Sequence, residues 1–218
     1  MKASKWKWAL AAAALATGVA GAANAQYREQ TEEPAYTVVV SDGPVEVREY
    51  EPMIVAEVSH TGSQRMAMGA GFRRLAAYIF AQDRPGAEEE AIAMTAPVML
   101  DQSEPIAMTA PVMRDSPSEG TWRTRFVMPS KYTLETLPKP PADITLTEVP
   151  ARRLAAVQFS GWGRAEDLER AEEILRKWME EEGHVPAGAA EFAFYDAPGV
   201  PARFRRNEVL IPLEAAKP

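Results

Sequence analysis

The side chains that could do chemistry here are few in kind. The chain has two histidines, His60 and His184, and no cysteine. That removes disulfides, thiolate ligation of haem and CxxC metal sites, and it leaves too few imidazoles for a three-histidine zinc centre. Methionine is better supplied. The octapeptide IAMTAPVM stands at 92–99 and again, letter for letter, at 106–113, so Met94, Met99, Met108 and Met113 share one short segment. Thioether sulfur is soft and suits copper(I), but these methionines sit among Ile, Ala and Val, and methionine fills cores readily. Packing is the preferred reading. Among the carboxylates Glu208 stands out because it opens an apolar strand in Arg205-Arg206-Asn207-Glu208-Val209. A buried acid there would need partners; a surface Arg–Glu pair, worth little, is the plainer expectation. His60 ends a strand ahead of a helix, where an axial ligand could sit, but an ordinary, partly exposed surface residue is the preferred reading. His184, beside Gly183, follows a helix and suits capping or complementing its C-terminus. No Ser-His-Asp set, phosphate loop or carboxylate pair is recognisable from spacing.

These residues need a scaffold, and the hydrophobic periodicity supplies one. TVVV at 37–40, VEVREY at 45–50 and MIVAEVSH at 53–60 read as strands, the first two separated by the turn signal Asp42-Gly43-Pro44. From Ser63 to Gln82 the period changes: Met68, Phe72, Leu75 and Ile79 recur on one helical face, with Arg65, Arg73 and Arg74 off it. An acidic loop, DRPGAEEE at 83–90, leads to the two octapeptides. Proline cannot donate to a sheet ladder, so Pro97 and Pro111 predict edge or bulged strands. A 14-residue duplication at such an edge would cost little loop entropy, and removal of residues 92–105 is expected to leave a folded protein. TWRTRFVMP is a further strand, and Pro138-Lys139-Pro140-Pro141 divides the chain. Beyond it, ITLTEV at 144–149 and RRLAAVQFSG at 152–161 are strands, and residues 164–182 form a helix with Leu168, Ala171, Leu175, Trp178 and Met179 on one side. EFAFYDA and NEVLIPL close the series. The repeated order suggests two ββαββ units and an α+β domain with a natural pocket between its halves.

The N-terminus belongs to none of this. Lys2, Lys5 and Lys7 precede an apolar run from Trp8 to Ala20 and then Ala23-Asn24-Ala25, the pattern of a secretory signal peptide cleaved after Ala25. The run is shorter than the roughly 20 residues that span a bilayer, and no later segment is long and apolar enough. Residues 26–35 read as a flexible leader, and 36–214 as a single domain with halves at about 36–137 and 143–214. Without the three leader lysines, 21 basic residues face 31 acidic ones, a net charge of −10. Nucleic acid and anionic membranes are therefore poor partners.

Three pieces carry a resemblance: AMTAPV after the first helix, RFVMPSKYTLETLP before the proline cluster, and FYDAPGVPARFRRNEVLIPL at the end. With the diagnostic pieces MTAPV, Tyr195-Asp196-x-Pro198 and Arg206-Asn207-Glu208-Val209 in this order around two helices, the chain resembles the SOUL haem-binding family from about Tyr36 to Leu213. The resemblance implies a distorted β-barrel of two pseudo-symmetric halves, one helix on each, binding haem or a related tetrapyrrole non-covalently. It implies a shallow apolar site beside the first helix, with basic groups at the propionates and no general axial histidine. On this sequence that gives Met66, Gly69, Ala70 and Arg73 on the helix, Pro201, Phe204 and Arg205 as a lid with a cation, and His60 as an optional ligand; no metal site is built from protein ligands. A non-catalytic, monomeric, periplasmic or secreted carrier or scavenger follows. The same fold resembles the effector-binding domains of bacterial multidrug regulators, and some relatives hydrolyse reactive small molecules. In that alternative Glu208 is the pocket acid for an aromatic or cationic ligand, or the catalytic group, with Tyr195, Trp122 or Trp162 as the aromatic wall.

Overall fold

The computed structural model describes residues 31–82, 91–102, 120–197 and 199–214. The expected signal peptide, the acidic loop at 83–90, the second octapeptide with Met108, Pro111 and Met113, and Pro198 lie outside the described residues. Nine strands and two α-helices are found among those described: β1 (Tyr36–Asp42), β2 (Val45–Tyr50), β3 (Met53–Gly62), α1 (Gln64–Ile79), β4 (Val98–Gln102), β5 (Gly120–Val127), β6 (Thr145–Val149), β7 (Arg152–Phe159), α2 (Ala165–Glu181), β8 (Glu191–Phe194) and β9 (Asn207–Pro212). A 3₁₀ turn, Ala202–Phe204, precedes β9.

All the strands join one antiparallel sheet in the order β1-β2-β7-β9-β8-β4-β5-β3-β6. The expected barrel is not formed: β1 and β6 each have one partner, and the sheet stays open between them. Closure is not required for burial, because both helices lie on one face of the sheet and cover its apolar residues. At the β1 edge a register shift between Val38 and Val40 leaves Val39 unpaired, an irregularity that makes an exposed edge a poorer template for further pairing.

Strand alternation divides the sheet into two chemically different faces. Val45, Val47, Leu100, Val157, Val209 and Ile211 pack under α2 with its Leu168, Ala171, Leu175, Trp178 and Met179. Ala56, Val58 and Phe126 pack under α1 with Leu75, Tyr78 and Ile79. Met68 and Phe72 are only partly buried, at the margins of these clusters. Helix α1 lies close on the sheet: a Cβ on Gly71 would stand 2.2 Å from Thr124 Oγ1. Helix α2 starts with Asp167 accepting a hydrogen bond from the Arg164 N–H at 3.2 Å. It ends where Gly183 takes a φ of +73°, a left-handed step that glycine makes without strain. The His184 N–H then donates to the Met179 carbonyl at 2.8 Å and its ring stacks on Trp178 at 5.2 Å, consistent with the capping role expected for it.

The first octapeptide enters the interior of the sheet, not its edge. β4 pairs with β5 on one side and β8 on the other. The expectation from proline fails because Pro97 stands just before the ladder, which begins at Val98, so its missing N–H interrupts no pairing. Ile92, Ala96 and Met99 are buried, and Thr95 Oγ1 donates to the Val127 carbonyl. Met99 packs with Tyr50, Val127 and Leu154, whereas Met94 lies against the α1 cluster. The two sulfurs serve separate packing regions, which argues against a shared copper site.

Candidate functional site

On the face away from the helices, two networks of charge border a buried apolar cluster that includes Val55, Met99, Leu154 and Leu210. The first surrounds Glu208, the second residue of β9, which is fully buried. Arg48 on β2 grips its carboxylate with two hydrogen bonds, Nη1 to Oε2 at 2.8 Å and Nη2 to Oε1 at 3.0 Å. Tyr195 Oη donates to Oε2 at 2.7 Å and Arg206 Nε to Oε1 at 3.0 Å. Both arginines are themselves held: Arg48 donates to Glu46 at 2.6 Å and to Tyr50 Oη at 3.1 Å, and Arg206 donates to Glu33 at 3.0 Å. Their guanidinium groups lie over the Tyr36 ring at 4.5 Å and the Tyr195 ring at 3.7 Å.

Burial by itself would raise the pKa of Glu208, but the Arg48 hydrogen bonds, the charges of both arginines and the Tyr195 hydroxyl outweigh it and hold the carboxyl below its ordinary range. Burial and the adjacent anion push Tyr195 well up. Burial also pushes Tyr50 up to about 12, against the pull of Arg48. Glu208 is thus ionised and has four donors on two oxygens. The surface-pair expectation is corrected, since the pair is buried and cooperative. For the catalytic and effector-acid readings the geometry is unfavourable, because the carboxylate's acceptor positions are already taken up by protein donors. Of the three expected wall aromatics only Tyr195 touches it. Trp122 donates to the Gly62 carbonyl at 3.2 Å and packs against the α2-side core, and Trp162 is half exposed under Arg205.

The second network was not foreseen. Asp101 on β4 and Glu191 at the head of β8 are both buried. Asp101 accepts from Arg123 at 2.6 Å, and Glu191 accepts from Arg152 at 2.5 and 2.8 Å. Arg125, also buried, stands 3.4 Å from Asp101 and 3.3 Å from Glu191 and ties the two together. Burial would raise Glu191, yet its arginine partners lower it. Only the pattern Arg123-Thr124-Arg125, charged at every second residue of a strand, hints at this in the sequence. The acids come from segments 90 residues apart.

The residues expected to hold a tetrapyrrole fall in two places. On α1, Met66 is 74% exposed. Gly69 and Ala70 lie one turn on, and the Arg73 guanidinium folds back to within 3.5 Å of where a Gly69 Cβ would be. Together they make a low, apolar surface with a cation at its edge. The segment containing Pro201, Phe204 and Arg205 is fastened to the loop before α2: Arg205 lies 4.4 Å over Trp162 and donates to the Val200 carbonyl at 2.8 Å, and Gly161 N–H donates to the Ala202 carbonyl at 3.0 Å. His60 shares the helix-facing side of β3 with Ala56 and Val58, and its buried Nδ1 has no hydrogen-bond partner among the described residues. No group of three or more His, Cys, Asp or Glu that could hold a metal ion is present among the described residues, and no helix there is long and apolar enough to cross a membrane.

Two hollows are large enough for a small ligand. One, of about 380 Å³, is a groove between the start of α1 and the flank of α2, with Trp122, Leu168 and Phe192 in its wall. The other, of about 720 Å³, lies where residues 32–35 cross the ends of β3 and β5. Those residues are held in place: Glu32 forms a parallel bridge with Thr95 and accepts from the Ser130 N–H at 2.7 Å.

One large antiparallel sheet with two helices on one face defines an α+β fold. The structure is similar to the EcmrR C-terminal domain (TM-score 0.56, 14% identity, covering 82% of this chain and 98% of that one). It is also similar to a hydrolase from Listeria innocua (TM-score 0.53, 10% identity, covering 81% and 94%). At such identities these likenesses establish the fold and nothing more. No curated protein matches the chain by sequence. The family model described as "SOUL heme-binding protein" matches residues 31–212, and the chain belongs to that family.

Proposed function

We propose that this protein is an exported, monomeric, non-catalytic carrier that binds haem or a related tetrapyrrole reversibly on the outward face of α1. The observation that carries the reading, beside family membership, is the exposed Met66 next to Gly69 and Ala70 with Arg73 drawn across the edge. A porphyrin needs a flat apolar surface for its ring, and its carboxylates pair well with a guanidinium. These residues fit that need. His60 lies on the helix-facing side of β3 and not on the outward face of α1, so apolar contact and the Arg73 guanidinium, without that imidazole, would hold a macrocycle there. Pro201, Phe204 and Arg205 are the proposed second contact, and the signal peptide at 1–25 the export device.

Titration of the mature protein with haemin, followed at the Soret band, tests this. Saturable binding at micromolar concentration is expected, weakened about tenfold by Met66→Glu, which sets a carboxylate against the propionates. An unchanged Soret position is expected for His60→Ala. Absence of saturable binding, or equal affinity in Met66→Glu, would overturn the proposal.

A further inference from the structure

The 720 Å³ cavity is unsuited to haem and is not used by the reading above. Its floor is apolar, formed by Ile54, Val127 and Met128 with Met53 beside them. Around its mouth stand Glu51, Glu135 and Glu148, with Glu32 and Glu33 on the side of the N-terminal segment, and no lysine or arginine is part of the lining. Glu32 is engaged by the Ser130 N–H and Glu33 by Arg206. Glu51 and Glu148 have no ion-pair partner among the described residues, and all three mouth acids are exposed. The nearby ammonium of Lys131 lies 4.9 Å over the Tyr132 ring.

We infer that this cavity binds an amphiphilic organic monocation, a ligand with a bulky apolar body and a delocalised, quaternary or protonated centre. The apolar floor favours removal of such a body from water. The hydrated carboxylates at the mouth attract the charge without themselves being desolvated, and they repel anions. A small metal ion is a poorer match, because it needs several ligand atoms converging on one point, and no such group of acids occurs among the described residues. The acids are instead spread around a wide opening, which suits a large ion of diffuse charge.

Tetraphenylarsonium and tetraphenylborate have nearly the same shape and opposite charge, so calorimetric titration with each separates charge selection from simple hydrophobic uptake. Saturable binding of the cation is expected, with the borate at least about tenfold weaker. The triple variant Glu51→Gln, Glu135→Gln, Glu148→Gln should lose that preference while keeping its melting temperature, since none of the three is buried. Leu134→Arg, at an exposed wall position, should weaken cation binding by a similar factor. In methyl spectra of labelled methionine, the cation should shift Met53 and Met128. Equal affinity for the two ions, a preference retained in the triple variant, unchanged affinity in Leu134→Arg, or shifts confined to Met66 and Met99 would each overturn the inference.

Discussion

Replacement of Glu208 by glutamine tests whether the buried ion cluster is a structural device. Glutamine keeps the size of the side chain and one good acceptor for Tyr195, but it removes the anion between Arg48 and Arg206. Breaking a buried pair by loss of one partner costs about 3–5 kcal/mol. The lower end applies here, because Arg48 retains Glu46 at 2.6 Å and Arg206 retains Glu33 at 3.0 Å. A loss of about 3 kcal/mol lowers the melting temperature of a domain this size by roughly 6–12 °C. Thermal and urea unfolding followed by circular dichroism measure it. The pH dependence supplies a second check. Glu208 has a folded-state pKa below its unfolded value, so its contribution is complete above the unfolded carboxylate range, near about 4.3, and is lost as pH falls through the folded value. The difference between wild type and Glu208→Gln should therefore be full at pH 7 and shrink on acidification below about 4.3. A variant as stable as wild type at pH 7, or more stable, would refute the reasoning. That result is expected of an acid kept for a ligand or for chemistry at the expense of stability.

Further predictions concern the sheet and its duplicated motif. Deletion of residues 92–105 leaves one octapeptide but places Arg114 where Leu100, fully buried under α2, now stands; a loss of at least about 3 kcal/mol is expected from the missing leucine and the buried charge. Deletion of 103–116 instead keeps Leu100 and Asp101 and joins β4 to β5 through a short hairpin connection, and its melting temperature should stay close to that of wild type. If the two deletions melt alike, Leu100 does not select the first copy. Gly71→Ala should destabilise by about 1–3 kcal/mol through overpacking against Thr124. Part of that loss should be recovered in the double variant with Thr124→Gly, read from a double-mutant cycle in urea. Finally, Arg125→Met should raise the pKa of Glu191 toward its unfolded value by removing a nearby charge, so the stability lost on acidification through the unfolded carboxylate range, near about 4.3, should be smaller than in wild type, read from a chemical-denaturation series across that range.

Much of the fold was legible in the chain. The buried stripe of α2 is the one its periodicity announces, because a helix on a sheet repeats its core contacts every three or four residues; on α1 the stripe is rotated, with Ala67, Gly71 and Tyr78 buried beside Leu75 and Ile79 while Met68 and Phe72 stay at the margin. The order of the strands was not legible: β2 beside β7 and β4 between β8 and β5 are pairings of distant segments. Nor could proline at position 97 reveal which side of the ladder's first residue it occupies, so a strand that looked like an edge lies in the interior. The site residues show the same division. Glu208 was conspicuous in the sequence for its polar neighbours ahead of an apolar run, but its partner Arg48 lies 160 residues away.

The sequence by itself determined the family, the α+β class, the face that α2 buries and the absence of any cysteine chemistry, because these depend on composition, on local period and on motifs read in order. Tertiary structure alone decided that the sheet stays open, that the first octapeptide is the interior strand, and that Glu208 is a saturated ion in the middle of a network. It also assembled an acid-rimmed cavity from the ends of β3 and β5 and residues 32–35. The physical reason is that burial and charge pairing are properties of residues brought together across a sheet. A carboxylate's neighbours along the chain do not tell how much water it keeps.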